Sequence, residues 1–120
     1  MREAIVGTAV GGPYSPAIIA EGMFVFVAGQ GPLKDGEYVP GSIEEETRQT
    51  LENMATLLEK AGSGFEHVVR CGVWLVDLDE LAGMNRVYES FFPEPRPARA
   101  TVRADLIVGK IEIDCIALVP

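Results

Sequence analysis

Histidine is almost absent from this sequence. His67 is the only one, so any Ser-His-Asp or Cys-His machinery would have to be built on it. It lies beside Glu66 and ahead of an apolar run, with no glycine elbow or nucleophile nearby, and is expected to be a strand-end surface side chain. Cysteine is nearly as scarce. Cys71 and Cys115 stand singly in apolar surroundings, which excludes the common structural zinc patterns and points to buried, reduced thiols. No apolar run approaches the roughly 20 residues of a membrane span. Met1-Arg2-Glu3-Ala4 has no signal-peptide h-region, so the expected compartment is the cytoplasm. Positive charge is short as well: ten Lys and Arg face 18 Asp and Glu, a net charge of −8. Such a field repels phosphate backbones and anionic lipid, so neither nucleic acid nor membrane is an expected partner. Phosphate loops are missing too, because no Lys-Ser or Lys-Thr follows Gly11-Gly12 or Gly29-Gln30-Gly31.

What is present suffices for one folded domain. Over 120 residues, 48% are apolar and 23% charged, and neither a linker nor an internal repeat divides the chain, so residues 1–120 form a single unit. Gly11 to Pro16 read as a turn-rich loop carrying Tyr14. Ala17–Ala20 and Met23–Ala28 read as two strands of a hairpin around Glu21-Gly22, and Lys34-Asp35-Gly36-Glu37 as a second turn. The clearest element is a helix from about Ile43 to Ala61. Ser42 and Glu45 compose a capping box, Ile43, Thr47, Leu51, Met54 and Leu58 form its apolar stripe, and Gly62 stops it. Glu44, Glu45 and Glu46 open this helix, and solvated carboxylates at the positive end of the dipole explain them more simply than a cation site. An apolar strand from about Val68 to Val76, a helix from about Asp79 to Phe92, and strands Ala98–Ala104 and Ile111–Val119 complete the chain.

This order gives an α+β fold, a mixed β-sheet with two helices packed on one face. The strands nevertheless offer apolar side chains to both faces, for example Val69, Cys71, Val73 and Leu75 against Trp74 and Val76, so a second copy of the chain is expected to cover the other face.

One local contrast stands out. Between Arg96 and Lys110 lie four basic residues, Arg96, Arg99, Arg103 and Lys110, and only one acid, Asp105. Alternation puts Arg99, Thr101 and Arg103 on one side of their strand, and sets Glu112 and Asp114 opposite Ile111, Ile113 and Cys115 in the last strand. Polar groups on a sheet face that is to be buried are either paired or used. A guanidinium holds a carboxylate through two parallel hydrogen bonds, and a nearby carboxylate orients or deprotonates a water. Periodicity alone favours an Arg–Glu or Arg–Asp bridge closing a subunit interface, since ion pairs in interfaces are common.

Six segments occur in an order that carries a resemblance. They are Gly12-Pro13-Tyr14-Ser15, Phe26-Val27-Ala28-Gly29-Gln30, Glu46-Thr47-Arg48-Gln49-Thr50-Leu51-Glu52-Asn53, Val87-Tyr88 before Phe91-Phe92, Arg96-Pro97-Ala98-Arg99, and Ile111-Glu112-Ile113-Asp114. Together they resemble the Rid family, also called YjgF, the reactive intermediate deaminases. The resemblance implies a chorismate-mutase-like α+β fold and a homotrimer with its sites in the clefts between subunits. It also implies hydrolysis of 2-imino acids, released by pyridoxal-phosphate enzymes, to 2-keto acids and ammonia, without metal or cofactor. By the same resemblance Arg99 grips the substrate carboxylate and Glu112 positions the attacking water, with Asp114 the alternative acid if the register slips by two. Tyr14, Gly29, Asn85 and Thr101 line the substrate site, Thr101 standing where many members have cysteine. A non-catalytic keto-acid sensor and an RNA-cleaving inhibitor of translation are the rival functions. The acidic balance opposes the second, and a sensor has no clear use for Glu112.

Overall fold

The computed structural model describes all 120 residues. The chain runs β1 (Arg2–Ile5), β2 (Ala17–Ala20), β3 (Met23–Gln30), a short hairpin of β4 (Leu33–Lys34) and β5 (Glu37–Tyr38), α1 (Ile43–Lys60), β6 (Val68–Leu75), α2 (Leu81–Phe91), β7 (Ala98–Arg103) and β8 (Ile111–Val119). Local chemistry fixes several boundaries. Ser42 Oγ accepts from Glu45 N–H at 3.1 Å while Glu45 Oε1 accepts from Ser42 N–H at 3.0 Å, the reciprocal cap the sequence predicts. Gly62, at φ +77°, follows the last turn of α1. Asp35 and Gly36, at φ 52° and 81°, form the two-residue turn between β4 and β5. The expected second helix starts later than Asp79, because Leu78–Glu80 form a single 3-10 turn capped by Asp77.

The main sheet has the order β3-β8-β6-β7, antiparallel except for the parallel β6–β7 pair. Both helices pack on one face. Leu51, Met54 and Leu58 of α1 and Met84 and Tyr88 of α2 meet Cys71, Val73 and Leu75 of β6 and Ile111, Ile113 and Cys115 of β8, none of them more than 2% exposed. The opposed thiols of Cys71 and Cys115 are free and buried, and burial pushes Cys71 up to about 12 and raises Cys115 as well. On the opposite face Phe26 is 74% exposed, and Ile18, Phe24, Val69 and Ile116 line an apolar groove beside it.

Three expectations are corrected here. β2 and β3 are not a hairpin: β2 pairs with β1, a strand not foreseen, while β3 pairs with β8. Long-range pairing wins because Val25 and Val27 of β3 then join the core opposite Ala117 and Cys115. Val69 leaves the core alternation because the β6–β8 register shifts between Val68 and Arg70, and it turns to the open groove.

The third correction concerns the acidic start of α1, whose carboxylates diverge. Glu44 pairs with Arg86 at 3.4 Å, Glu45 caps the helix, and Glu46 is only 1% exposed. Glu46 accepts from Lys110 N–H (2.8 Å), Lys110 Nζ (3.0 Å), Tyr38 Oη (2.8 Å) and Gly41 N–H (3.2 Å). It thereby ties α1 to the loop that leads into β8. Burial alone would raise its pKa, but these donors outweigh burial and hold it below the usual carboxylate value of 4.5. A folded-state pKa below the unfolded one means stability that is present above about pH 4.5 and lost as pH falls through the folded value. Glu46→Gln is therefore expected to lower the melting temperature at pH 7 by about 10 °C. The gap from wild type should close on acidification. A pH series of melting curves checks this.

Candidate active site

The basic segment sorts itself by partner. Arg96 donates to Glu94 at 3.0 Å and to Phe92 O at 3.2 Å, Lys110 is held by Glu46, and Arg103 lies exposed at the end of β7. Arg99 has no acid. Its Nε and Nη1 are buried without a hydrogen-bond partner, and no ion pair of the chain includes it. Burial lowers its pKa from the ordinary arginine value, as expected for a cation with no anion to offset desolvation. Two tyrosine rings flank it instead, Tyr14 and Tyr88, each with its centroid 4.8 Å from Arg99 Cζ. Gly12 permits this approach. A Cβ there would lie 3.1 Å from the Tyr14 ring and 3.3 Å from Arg99 Nη2.

The residues around Arg99 share its condition. Thr101, two positions along the same side of β7, has a buried Oγ1 with no partner, and so does Asn85 Oδ1 on α2. Asn85 lines a cavity with Gly12, whose Cα side faces Arg99 Nη2, and with Pro13 and Arg96. Four residues expected from the sequence, Tyr14, Asn85, Arg99 and Thr101, thus gather between the loop 11–16, α2 and the edge of β7. Buried donors and acceptors left unpaired cost free energy until something binds them.

Glu112 and Gly29 form a separate group. In the sheet register Arg99 stands beside Cys71, on the helix-covered face, whereas Glu112 pairs with Trp74 and lies on the open face. Arg99 and Glu112 therefore lie on opposite faces of the sheet within one chain. β7 runs parallel to β6, so the position of Arg99 is set by Cys71, a core residue. Glu112 engages in no ion pair, and Gly29 on β3 leaves it room: a Cβ on Gly29 would come within 2.5 Å of Glu112 Oε2. Asp114 is occupied. It accepts from Gly72 N–H at 2.8 Å and faces Arg70 at 3.9 Å, so of the two acids considered for the water it is Glu112 that remains unengaged. His67 sits in a 3-10 turn at the start of β6, 3.2 Å from Glu66, as its sequence context predicts.

A sequence family described as "Endoribonuclease L-PSP" matches residues 5–119. The chain belongs to this family, the YjgF/Rid proteins. The Rid chain is 48% identical to protein mmf2, mitochondrial, of Schizosaccharomyces pombe over 112 residues, 89% of this chain and 88% of the relative. It is 41% identical to Reactive Intermediate Deaminase A, chloroplastic, of Arabidopsis thaliana, covering 88% of this chain and 58% of the relative. It is 34% identical to the 2-iminobutanoate/2-iminopropanoate deaminase of Capra hircus, covering 89% and 80%. Among solved structures, a Thermotoga maritima protein described as a putative endoribonuclease superposes with a TM-score of 0.76 at 39% identity, covering 89% and 87%. RidA from an Antarctic Psychrobacter superposes at 0.75 and 33%, covering 92% and 91%. The α+β fold with both helices on one face of a mixed sheet is that of the Rid family. No helix of this Rid chain is long and apolar enough to cross a membrane.

Two neighbours of the Rid site escaped the sequence reading. Tyr88 appears there only within the Val87-Tyr88 segment of the resemblance, with no role of its own, because a core tyrosine and an arginine platform have the same helical spacing. Gly12 reads as turn chemistry, and the contact that requires it becomes visible only once loop 11–16 folds over β7.

Proposed function

We propose that this Rid protein hydrolyses 2-imino acids to 2-keto acids and ammonia, in a site completed by a second copy of the chain. The observation that carries the reading is Arg99, a buried guanidinium with two unpartnered nitrogens and no acid in its own chain. Its fork matches a carboxylate through two parallel hydrogen bonds. The names of the Arabidopsis and goat relatives support imine chemistry.

An imine carbon is already electrophilic, so the protein needs to hold the substrate and aim a water. Arg99 fixes the carboxylate, with Tyr14, Asn85 and Thr101 closing around it. Glu112, free of internal partners, orients the water and takes its proton as the oxygen bonds to the imine carbon. Glu112 returns that proton to the imine nitrogen, giving a neutral carbinolamine. The carbinolamine hydroxyl then passes its proton through Glu112 to the nitrogen, the C–N bond breaks as the C=O forms, and ammonia leaves. Because Arg99 and Glu112 lie on opposite faces of one sheet, the two halves meet between copies, for which a homotrimer with three clefts is the proposed assembly. The open apolar face around Phe26 supplies the surface to bury. Buried, reduced thiols suit the cytoplasm proposed for it or the matrix of an organelle.

The sensor alternative uses Arg99 and leaves Glu112 idle. An RNA substrate is opposed by the net charge of −8. The discriminating experiment couples an amino-acid oxidase to semicarbazide, which traps free imine in competition with hydrolysis. Adding the protein is expected to lower the rate of semicarbazone formation and speed keto-acid release, before and after EDTA treatment alike. Unchanged trapping across small aliphatic and aromatic imino acids, with keto acids still bound, would favour the sensor.

A further inference from the structure

The chemistry above assigns no task to Tyr88, although its ring lies as close to the Arg99 guanidinium as that of Tyr14, 4.8 Å in each case. The two rings differ in how firmly they are held. Tyr14 is part of the loop 11–16 and only partly buried. Tyr88 is 0% exposed, sits on α2, and stacks on Phe92 at 4.3 Å with 26° between planes. Phe92 is itself braced edge-on by Phe65 at 4.9 Å. Tyr88 is thus a fixed plate at the end of an aromatic column, and Arg99 rests against it.

A functional arginine is commonly oriented by a carboxylate or a carbonyl, and each such acceptor uses N–H groups that the ligand then lacks. Arg99 has neither kind of acceptor for Nε or Nη1. A ring face attracts a guanidinium through its quadrupole and occupies no N–H at all. The Tyr88 hydroxyl contributes nothing to this, since it makes no hydrogen bond to Arg99 and its polar neighbour is the Cys71 thiol. We propose that Tyr88 is a positioning residue whose π face holds the plane of Arg99 for the substrate carboxylate while leaving the guanidinium donors unused. The proposal rests on the carboxylate-gripping role of Arg99 given above.

Fluorination tests it without emptying the core, since each fluorine weakens the negative face of a ring while nearly conserving its shape and apolarity. Phenylalanine and its mono-, di- and trifluoro derivatives are placed at position 88 in the full-length protein. Affinity for 2-oxobutanoate, KM and kcat in the semicarbazide assay, and melting temperature are read for each. Tyr88→Phe should bind 2-oxobutanoate within about twofold of wild type, and the trifluoro ring should bind it about tenfold more weakly, in graded steps. KM should rise along the series while kcat changes less, with the melting temperature flat. A merely structural tyrosine would show affinity independent of fluorination, or affinity that follows the melting temperature, and either result overturns the role of Tyr88 alone. Failure of wild type to bind 2-oxobutanoate overturns the carboxylate role of Arg99, and this proposal with it.

Discussion

Arg99→Lys is expected to fold and assemble like wild type while kcat/KM for 2-iminobutanoate falls by about a hundredfold. Lysine keeps the charge but presents a point-like ammonium in place of a planar fork, so the paired hydrogen bonds to a carboxylate are lost. It also surrenders the stacking of a flat cation on Tyr14 and Tyr88, each now 4.8 Å away. The fold has little reason to object. Arg99 makes no ion pair within the chain, and its buried nitrogens contribute no hydrogen bond whose removal would leave an orphaned acceptor. 2-Oxobutanoate binding should weaken in parallel with turnover. Isothermal titration and light scattering separate this outcome from its rival, since an arginine that merely bridges subunits would disperse the assembly when changed to lysine.

Glu112→Gln is expected to act on the other half of the reaction. The amide is isosteric and reaches the same water, but it cannot accept the proton that the water must shed. The expected loss is about 10²- to 10⁴-fold in kcat, with 2-oxobutanoate affinity nearly unchanged. Asp114→Asn is the natural contrast. Asp114 is tied to Gly72 N–H and stands near Arg70, so changing it should act on stability and leave the residual protein active. Reversal of the two results, with Asp114→Asn inactive and Glu112→Gln active, would move the water to Asp114.

Much of this was legible in the sequence where the determinants are local. The cap formed by Ser42 and Glu45, the stop at Gly62 and the Asp35-Gly36 turn are set by residues within a few positions of one another. The contrast of basic residues after Arg96 pointed to Arg99, and the six family segments named Glu112. What stayed hidden depends on pairing at long range. The partner of β2 is β1, not β3, and that choice is made by the core that β3 gains against β8. Glu46 looked like one more solvated acid at the start of a helix, because its donors Tyr38 of β5 and Gly41 and Lys110 of two loops lie outside what the helix pattern reveals. Alternation placed each polar side chain correctly along its own strand. It could not say which side of β7 faces α2, and that question decides whether Arg99 and Glu112 meet within one chain or between two.

The division of the site between copies is best tested by mixing the two disabled forms. Arg99→Lys and Glu112→Gln subunits, carrying different affinity tags, are co-expressed and the mixed trimers isolated through both tags. Neither parent retains a cleft with both residues intact. In trimers that carry both tags about one cleft in three draws Arg99 from one subunit and Glu112 from its neighbour. Semicarbazide competition should then recover roughly that share of wild-type turnover, an increase far above either parent. Mixed trimers as inactive as their parents would contradict a site shared between subunits.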